Sequence, residues 1–438
     1  MSSYAKVTAL LIVFYLSFIA CHSTKTNTGT IKEVEIKKEN GKYTLYRNGK
    51  PFIVKGGAGY TRLKELSEIG GNTIRVWDTL QLAKILDSAQ AHHLAVIVGI
   101  PLPLNENMDA FYNNDAKVNA SFKKITQTVN KFKHHPALLC WCLGNEIEFP
   151  WKPNFNKFYK AFNNIVDMIH HDDPDHPVTT TIMTFKRKNI ANIKLRTNID
   201  FISFNIFGSI QTLTKDLDDF KWFWNGPFLI AEWGIEGPWI KDSQNAWAGN
   251  IENSSNKKAD QYLSIYQKFM PVNNPGFLGE MVFYWGQKQE LTPTWFSLFD
   301  KNGAKTEAVN TMQYIWTGRQ ATHHAPAVKY LLINDKGGPD NIFLKPDSIA
   351  QAKVYMNKPE TALTYKWQLI AEDWYSPNGV YSAKEPKPIE NSILETTGAG
   401  IKFKVPHKEG PYRLLVFVYD QQGYVATCNT PFYVLANP

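Results

Sequence analysis

Eight short apolar runs follow one another between residues 52 and 286, and polar segments separate them. They are "FIVKGGAG" (52–59), "GNTIRVWD" (71–78), "LAVIVGIPLP" (94–103), "ALLCWCLGNE" (137–146), "PVTTTIM" (177–183), "DFISFNIF" (200–207), "PFLIAEWG" (227–234) and "FLGEMVFYWG" (277–286). Nearly continuous apolar runs of this length indicate strands that are buried on both faces, as parallel sheets require. Intervening segments such as 80–92 and 157–171 repeat apolar residues every three or four positions, which is typical of amphipathic helices.

This alternation predicts an α/β fold, a (β/α)8 TIM barrel over residues 32–320. The alternative is an open, doubly wound parallel sheet. That fold would predict a glycine-rich phosphate turn with the GxGxxG form near its start, and "KGGAGYTRL" (55–63) lacks this form. The barrel is therefore the favoured interpretation.

The pattern changes after residue 320. Segments of period-two alternation follow, with Gly and Pro between them: "QAKVYMN" (351–357), "LTYKWQLI" (363–370), "GIKFKVP" (400–406), "GPYRLLVFVYD" (410–420) and "NTPFYVLA" (429–436). Together with Trp367 on a central strand, they predict a small all-β, immunoglobulin-like sandwich over residues 325–438. No candidate chemistry lies there, so we expect an accessory domain.

The N-terminal segment predicts export. Lys6 precedes the apolar run "VTALLIVFYLSFIA" (7–20), which has the length of a signal h-region. Residues 1–20 therefore predict a signal peptide, and the following Cys21 resembles the lipidated cysteine of the bacterial lipobox, with 21–31 as a polar tether. We expect a protein anchored by lipid to the bacterial outer membrane. Phe18 stands where the lipobox usually has Leu, so simple secretion is the alternative.

Composition narrows the function further. The net charge is +8, with 48 basic against 40 acidic residues, but the basic residues are scattered and form no stripe, so we expect no nucleic-acid binding. Cys140 and Cys142 stand on one predicted strand and Cys428 lies far away, so no zinc-ligand spacing is complete. We expect that the protein uses no metal and no cofactor. We also expect it to be a monomer.

Two carboxylates end predicted barrel strands. Glu146 ends the fourth and Glu232 stands near the end of the seventh. The carboxyl ends of all eight strands meet at one face of such a barrel, where its chemistry takes place. One carboxyl that protonates a leaving oxygen, and a second that attacks the anomeric carbon or activates water, are what glycoside hydrolysis needs.

At these positions the chain resembles the clan A glycoside hydrolases, which are retaining (β/α)8 enzymes that include families two and five. The resemblance rests on "LGNE" (143–146) and "AEWG" (231–234), and extends to "RNGKPFIVKGGAG" (47–59), "GNTIRVWD" and "HHPALLCWCLGNE" (134–146). It implies that Glu146 is the acid/base and Glu232 the nucleophile. It also implies that Asn145 binds the sugar 2-hydroxyl, Arg75 lies beneath the nucleophile, and Trp285 forms the floor of the subsite for the attacked sugar.

One position departs from the family. Many relatives have a Tyr on strand six that touches the nucleophile, whereas "FNIFGS" has Phe207, so we predict that Asn205 or another donor serves instead. Aromatic residues after the strands, Trp151 and Trp233 among them, are further candidates for sugar stacking. Core packing is the alternative for each of these rings.

Three other glutamates are interpreted differently. Glu148 and Glu236 each follow a candidate catalytic residue on a loop, and we expect them at the rim of the site. Glu280 stands inside the eighth apolar run, where a buried salt bridge is the expected role.

The sequence thus predicts a retaining β-glycoside hydrolase that binds a β-linked poly- or oligosaccharide. The first choice of substrate is an internal bond of β-1,3-glucan, because an immunoglobulin-like domain behind a clan A barrel on a bacterial lipoprotein resembles some endo-β-1,3-glucanases. The alternatives are a transglycosidase acting on the same glucan and a non-catalytic, glycan-binding lipoprotein.

Overall fold

Eight parallel strands close into a barrel. The structure is a computed structural model that describes residues 32–103, 107–240, 243–372 and 384–436. The barrel strands are β4 (Val54–Ala58), β5 (Thr73–Val76), β6 (Ala95–Ile100), β7 (Leu138–Leu143), β8 (Val178–Met183), β9 (Phe201–Ile206), β10 (Phe228–Trp233) and β11 (Phe277–Val282). Each pairs in parallel with its neighbour in the chain, and β11 pairs with β4 to close the ring. The predicted (β/α)8 barrel is confirmed.

Nine helices are described, and most of them lie between barrel strands. They are α1 (Leu63–Glu68), α2 (Leu82–Ala91), α3 (Met108–Tyr112), α4 (Asp115–Phe132), α5 (Asn156–Asp172), α6 (Arg187–Arg196), α7 (Ile210–Phe220), α8 (Ser255–Phe269) and α9 (Glu307–Thr317). On α5, Phe158, Phe162, Ile165 and Ile169 are buried at three- and four-residue spacing, so one apolar face packs on the barrel. At α8, Ser254 caps the N-terminus by accepting a hydrogen bond from the Lys257 amide.

A small antiparallel sheet covers the end of the barrel opposite the expected site. It contains β1 (Val34–Glu39), β2 (Lys42–Arg47) and β3 (Lys50–Pro51). The Val34 amide donates to the carbonyl of Asp175, and the Tyr43 amide donates to that of Pro275. Both carbonyls precede a barrel strand, so this sheet closes the amino-terminal end of the barrel.

Two four-stranded sheets follow the barrel. One has the order β12 (Val328–Ile333), β14 (Ile349–Met356), β17 (Gly400–Lys404), β16 (Ile393–Thr396), and the other β13 (Phe343–Leu344), β19 (Val425–Val434), β18 (Gly410–Tyr419), β15 (Thr364–Ala371). Their facing side chains form a hydrophobic core separate from that of the barrel. The predicted C-terminal all-β fold is confirmed. The predicted position of Trp367 is wrong: it lies half-buried on edge strand β15, because the longer, buried β18 and β19 occupy the centre.

Buried charges connect these sheets to the barrel. Arg413 on β18 is fully buried and donates to Glu372 at 2.5 Å and to the carbonyl of Asn250 at 2.6 Å. Asn429 on β19 donates to Glu252 at 2.7 Å, and Glu252 also pairs with Lys258 of α8. Residues 250–252 follow strand β10, so the C-terminal sheets support a loop that leaves the mouth of the barrel.

The N-terminal predictions lie outside this description. The signal segment 1–20, the lipidation candidate Cys21 and the tether 21–31 fall outside the described residues. No helix within the described ranges is long and apolar enough to cross a membrane.

Candidate active site

A cavity of about 860 Å³ opens at the carboxyl ends of the barrel strands. Glu146 and Asn145 reach it from the end of β7, Asn205 from β9 and Glu232 from β10. Arg75 of β5 lies beneath it and contacts three of these residues. The structure therefore brings together all five polar residues predicted from the sequence.

The backbone turns both glutamates towards the mouth. A β-bulge in the pairing of β10 with β9 lies between Ile230 and Glu232 and shifts the alternation of side chains. After β7, Gly144 has φ +73°, and a Cβ there would lie 2.0 Å from Ile147 Cδ1, so any other residue would be strained at this position. Glu146 itself has φ +57°, a left-handed conformation that is uncommon for residues other than glycine and typical of functional sites.

Glu232 is held by two donors on one oxygen. Arg75 Nη1 lies 2.6 Å from Glu232 Oε1, with side-chain exposures of 1% and 6%. The indole Nε1 of Trp77 donates to the same oxygen at 2.8 Å. Within the part of the chain that the structure describes, no hydrogen bond is made to Oε2. Oε1 is thus fixed, and Oε2 is the oxygen available to a ligand.

Opposing effects set the pKa of Glu232. Burial raises this pKa above its ordinary value, and the nearby Glu146 carboxylate raises it further. The Arg75 guanidinium is the largest opposing influence, and the Trp77 hydrogen bond also lowers the pKa. Arg75 thus favours the ionised carboxylate, but burial outweighs this effect.

Asn205 joins the two glutamates. Its Oδ1 accepts from Arg75 Nη1 at 3.0 Å, and its Nδ2 donates to Glu146 Oε1 at 2.9 Å and to Asn145 Oδ1 at 3.2 Å. Asn145 Oδ1 also accepts from Arg75 Nη2 at 2.7 Å, so its amide nitrogen remains available as a donor to a ligand. Asn205 therefore orients Glu146, and Trp77 is the additional donor to Glu232 that the sequence left unassigned.

Aromatic rings form much of the cavity wall. They are Tyr60, Trp77, Phe207, Trp239, Phe283 and Tyr284. Tyr60 and Trp239 are 50% and 47% exposed, so their faces are open to a ligand. Exposed rings around a cleft with a few polar groups suit the apolar faces of sugars.

The three predicted sugar-stacking tryptophans lie elsewhere. Trp285 is fully buried against Phe299 and Trp316, and the adjacent Tyr284 lines the cavity instead. Trp233 follows Glu232 on β10 and therefore points outward, where it contacts Tyr262 of α8.

The third, Trp151, is 60% exposed on the loop after β7 and does not line the cavity. The Arg196 guanidinium lies 5.8 Å from its ring. None of the three rings therefore lines the cavity, because loop geometry and strand alternation direct them elsewhere.

The other three glutamates have distinct surroundings. Glu148 is exposed and pairs with Lys186 at 3.3 Å, whereas Glu236 lines the cavity. Glu280 is buried, and its carboxylate accepts hydrogen bonds from the indoles of Trp233 and Trp316. The expected salt bridge at Glu280 is wrong: indole donors take its place, and burial raises its pKa to about 7.

Some lining residues were missed from the sequence. Trp77 stands two positions after Arg75, so strand periodicity places both on the same face and could have identified it. Lys288 and Glu290, by contrast, come from the loop after β11, where no periodic signal exists. No group of three His, Cys, Asp or Glu side chains that could hold a metal is found among the described residues.

Comparison with known proteins agrees with this geometry. A parallel (β/α)8 barrel with paired carboxylates at its mouth is the architecture of the clan A glycoside hydrolases. Residues 80–248, which carry both glutamates, match the family described as "Glycosyl hydrolases family 2, TIM barrel domain". This part of the barrel is therefore similar to the family 2 TIM barrel domain, and the resemblance drawn from the motifs is confirmed. No curated protein matches the sequence significantly.

Solved structures share the fold. The β-glucuronidase of Ruminococcus gnavus aligns with a TM-score of 0.52 at 15% identity, over 66% of this chain and 53% of its own. β-Glucuronidase 2 of Bacteroides uniformis aligns with a TM-score of 0.51 at 13% identity, over 92% of this chain and 48% of its own. The β-glucuronidase of Bifidobacterium dentium aligns with a TM-score of 0.51 at 17% identity, over 66% of this chain and 50% of its own. The present chain thus spans about half the length of these relatives, and identities this low establish the fold alone.

Proposed function

We propose that this protein is a retaining β-glycosidase that works through a glycosyl-enzyme intermediate. The observation that carries the proposal is the Arg75–Asn205 network, which orients Glu232 and Glu146 towards one aromatic-lined cavity. The family 2 barrel match supports the same chemistry.

In the first step, Glu146 donates a proton to the glycosidic oxygen while Glu232 Oε2 attacks the anomeric carbon. The bond between this carbon and the leaving oxygen breaks, and an ester to Glu232 forms. Arg75 and Trp77 hold Oε1, which leaves Oε2 with the correct orientation for attack. Asn145 donates its amide N–H to the sugar 2-hydroxyl.

In the second step, water replaces the leaving group. The ester has removed the negative charge of Glu232, and Glu146 is a carboxylate because it gave up its proton in the first step. It takes a proton from water, whose oxygen attacks the anomeric carbon and releases Glu232. Two displacements retain the β configuration.

The proposed substrate is a β-linked glucan or related polysaccharide, with internal β-1,3-glucan bonds as the first choice. The exposed rings of Tyr60 and Trp239 support binding of a saccharide chain. Several solved relatives are β-glucuronidases, so β-glucuronides are the other class to test. We also propose a monomer, exported and lipid-anchored through Cys21 to the outer membrane. Loss of radioactive palmitate incorporation in Cys21→Ser tests the anchor.

The test of function is hydrolysis of β-glucans, β-mannans and aryl β-glycosides by the wild type, Glu146→Gln and Glu232→Gln, with product anomers followed by NMR. We expect the β-anomer first from the wild type, and a loss of about 10³-fold or more in each variant. Glu148→Gln, which changes an exposed glutamate outside the cavity, is the matched control. Full activity in both catalytic variants would contradict the proposal.

A further inference from the structure

One ion pair lies in the wall of the cavity. Lys288 Nζ is 2.7 Å from Glu290 Oε2, and both residues line the cavity. Lys288 is the only basic side chain among the described lining residues, whereas four carboxylates line it: Glu146, Glu232, Glu236 and Glu290. The single lining cation is therefore already neutralised by one of these carboxylates.

The loop that carries this pair is held in place by its backbone. The Lys288 amide donates to Ser297 Oγ at 2.9 Å. The amides and carbonyls of Glu290 and Thr292 exchange hydrogen bonds of 3.1 and 2.8 Å. The backbone positions from which the two side chains pair are thus fixed by the loop.

The pair and the candidate nucleophile line the same cavity. Lys288 Nζ is 5.6 Å from the centre of the Phe283 ring, and this ring lies 6.2 Å from that of Trp77, which donates to Glu232. One aromatic layer therefore separates the pair from the residues that hold Glu232. A sugar bound for attack by Glu232 would occupy the cavity whose wall this pair helps to form.

The chemistry of the pair fits a hydroxyl group better than a carboxylate. The ammonium keeps further N–H donors, and Glu290 Oε1 makes no hydrogen bond to a described residue, so the pair offers a donor and an acceptor side by side. A hydroxyl can use both. A sugar carboxylate would meet a cation whose charge is already satisfied and would add a negative charge to a wall rich in carboxyl groups, which like-charge repulsion disfavours.

We propose that the Lys288–Glu290 pair makes this cavity selective for neutral β-glycosides and excludes uronides. The inference rests on the proposed function, because it assumes that the ligand is a sugar. It deepens that function by giving the substrate class, and it separates this chain from relatives of the same fold that act on glucuronides.

The test uses non-hydrolysable aryl 1-thio-β-glycosides in matched neutral and uronate pairs of gluco, galacto and manno configuration. Binding is measured by titration calorimetry. For the best-bound configuration, we expect the wild type to bind the neutral member at least about tenfold more tightly. Glu290→Gln removes the charge that neutralises Lys288. The ratio of neutral to uronate affinity should therefore fall about tenfold, because the uronate binds more tightly. Glu148→Gln should leave the ratio unchanged.

Two results would overturn the selectivity: uronate binding to the wild type as tight as neutral binding, or an unchanged ratio in a folded Glu290→Gln variant. Binding of none of the pairs would overturn it as well. Turnover of the matching O-glycosides separates this inference from the proposed function. Neutral sugars that bind without being cleaved contradict the function alone, whereas efficient cleavage of a uronide contradicts the selectivity alone.

Discussion

Trp77 is expected to tune the ionisation of Glu232. Replacing it with Phe keeps a ring that can pack against Phe283 and Tyr284 but removes the 2.8 Å hydrogen bond from Nε1 to Glu232 Oε1. A hydrogen bond to a charged group contributes about 1.5–3 kcal/mol. The bond favours the ionised form, so its loss raises the pKa of Glu232.

The sign of the pH effect follows from the chemistry. Attack needs ionised Glu232, so kcat/KM falls as pH drops through the pKa of this carboxyl. Burial already raises this pKa, and Trp77→Phe removes one of the influences that lower it. The acid limb of the variant should therefore move to higher pH, with activity largely recovered on the alkaline side of the new limb.

The assay is kcat/KM for an aryl β-glycoside from about pH 4 to about pH 9. Trp239→Phe is the matched control, because Trp239 lines the same cavity but contacts Phe207 and Phe296 and not Glu232. It should change KM by a similar factor at every pH. An acid limb that does not move in Trp77→Phe would refute the role given to this indole.

Two further predictions concern stability. Burial raises the pKa of Glu280 from 4.5 to about 7 in the folded protein. Its contribution to the free energy of unfolding is therefore fully present below about pH 4.5, and it is lost as the pH rises to about 7, because only the unfolded chain ionises readily over this range. The loss amounts to about 3 kcal/mol. The free energy of unfolding, measured with urea, should therefore decline less for Glu280→Gln than for the wild type between about pH 5 and about pH 8. The same decline in both proteins would contradict this prediction. Arg413→Met leaves Glu372 buried without its guanidinium partner and should lower the unfolding free energy by about 3–5 kcal/mol. Arg187→Met, which breaks an exposed pair with Asp219, should lower it by less than about 1 kcal/mol, and equal losses would contradict the argument.

The barrel and its polar site could be predicted because their signals are local. Strands buried on both faces read as continuous apolar runs, and all eight barrel strands follow from them. Parallel strands bring their carboxyl ends to one edge, so Glu146 and Glu232 were expected to face the same cavity. The backbone bulge at Glu232 was not predictable, but it preserves this result.

The aromatic and loop residues of the cavity were harder to predict from the sequence, because the directions in which their side chains point depend on tertiary packing. Trp285 and Tyr284 are neighbours after β11, and no periodic pattern shows which of them lines the cavity. Lys288 and Glu290 meet through the backbone pairing of an irregular loop. In the C-terminal sheets, β13 has only two residues, too few for an alternating pattern.

The most direct test of the central claim is to trap the glycosyl-enzyme. The wild type would be incubated with 2-deoxy-2-fluoro-β-glycosyl fluorides, which slow the second step, and then digested for peptide mapping by mass spectrometry. We predict one covalent sugar per chain, attached to Glu232, and no labelling of Glu232→Gln. The neutral reagents should label the wild type faster than the uronate reagent does. A sugar attached to another residue, or turnover of the corresponding glycosides with release of the α-anomer first, would contradict the account.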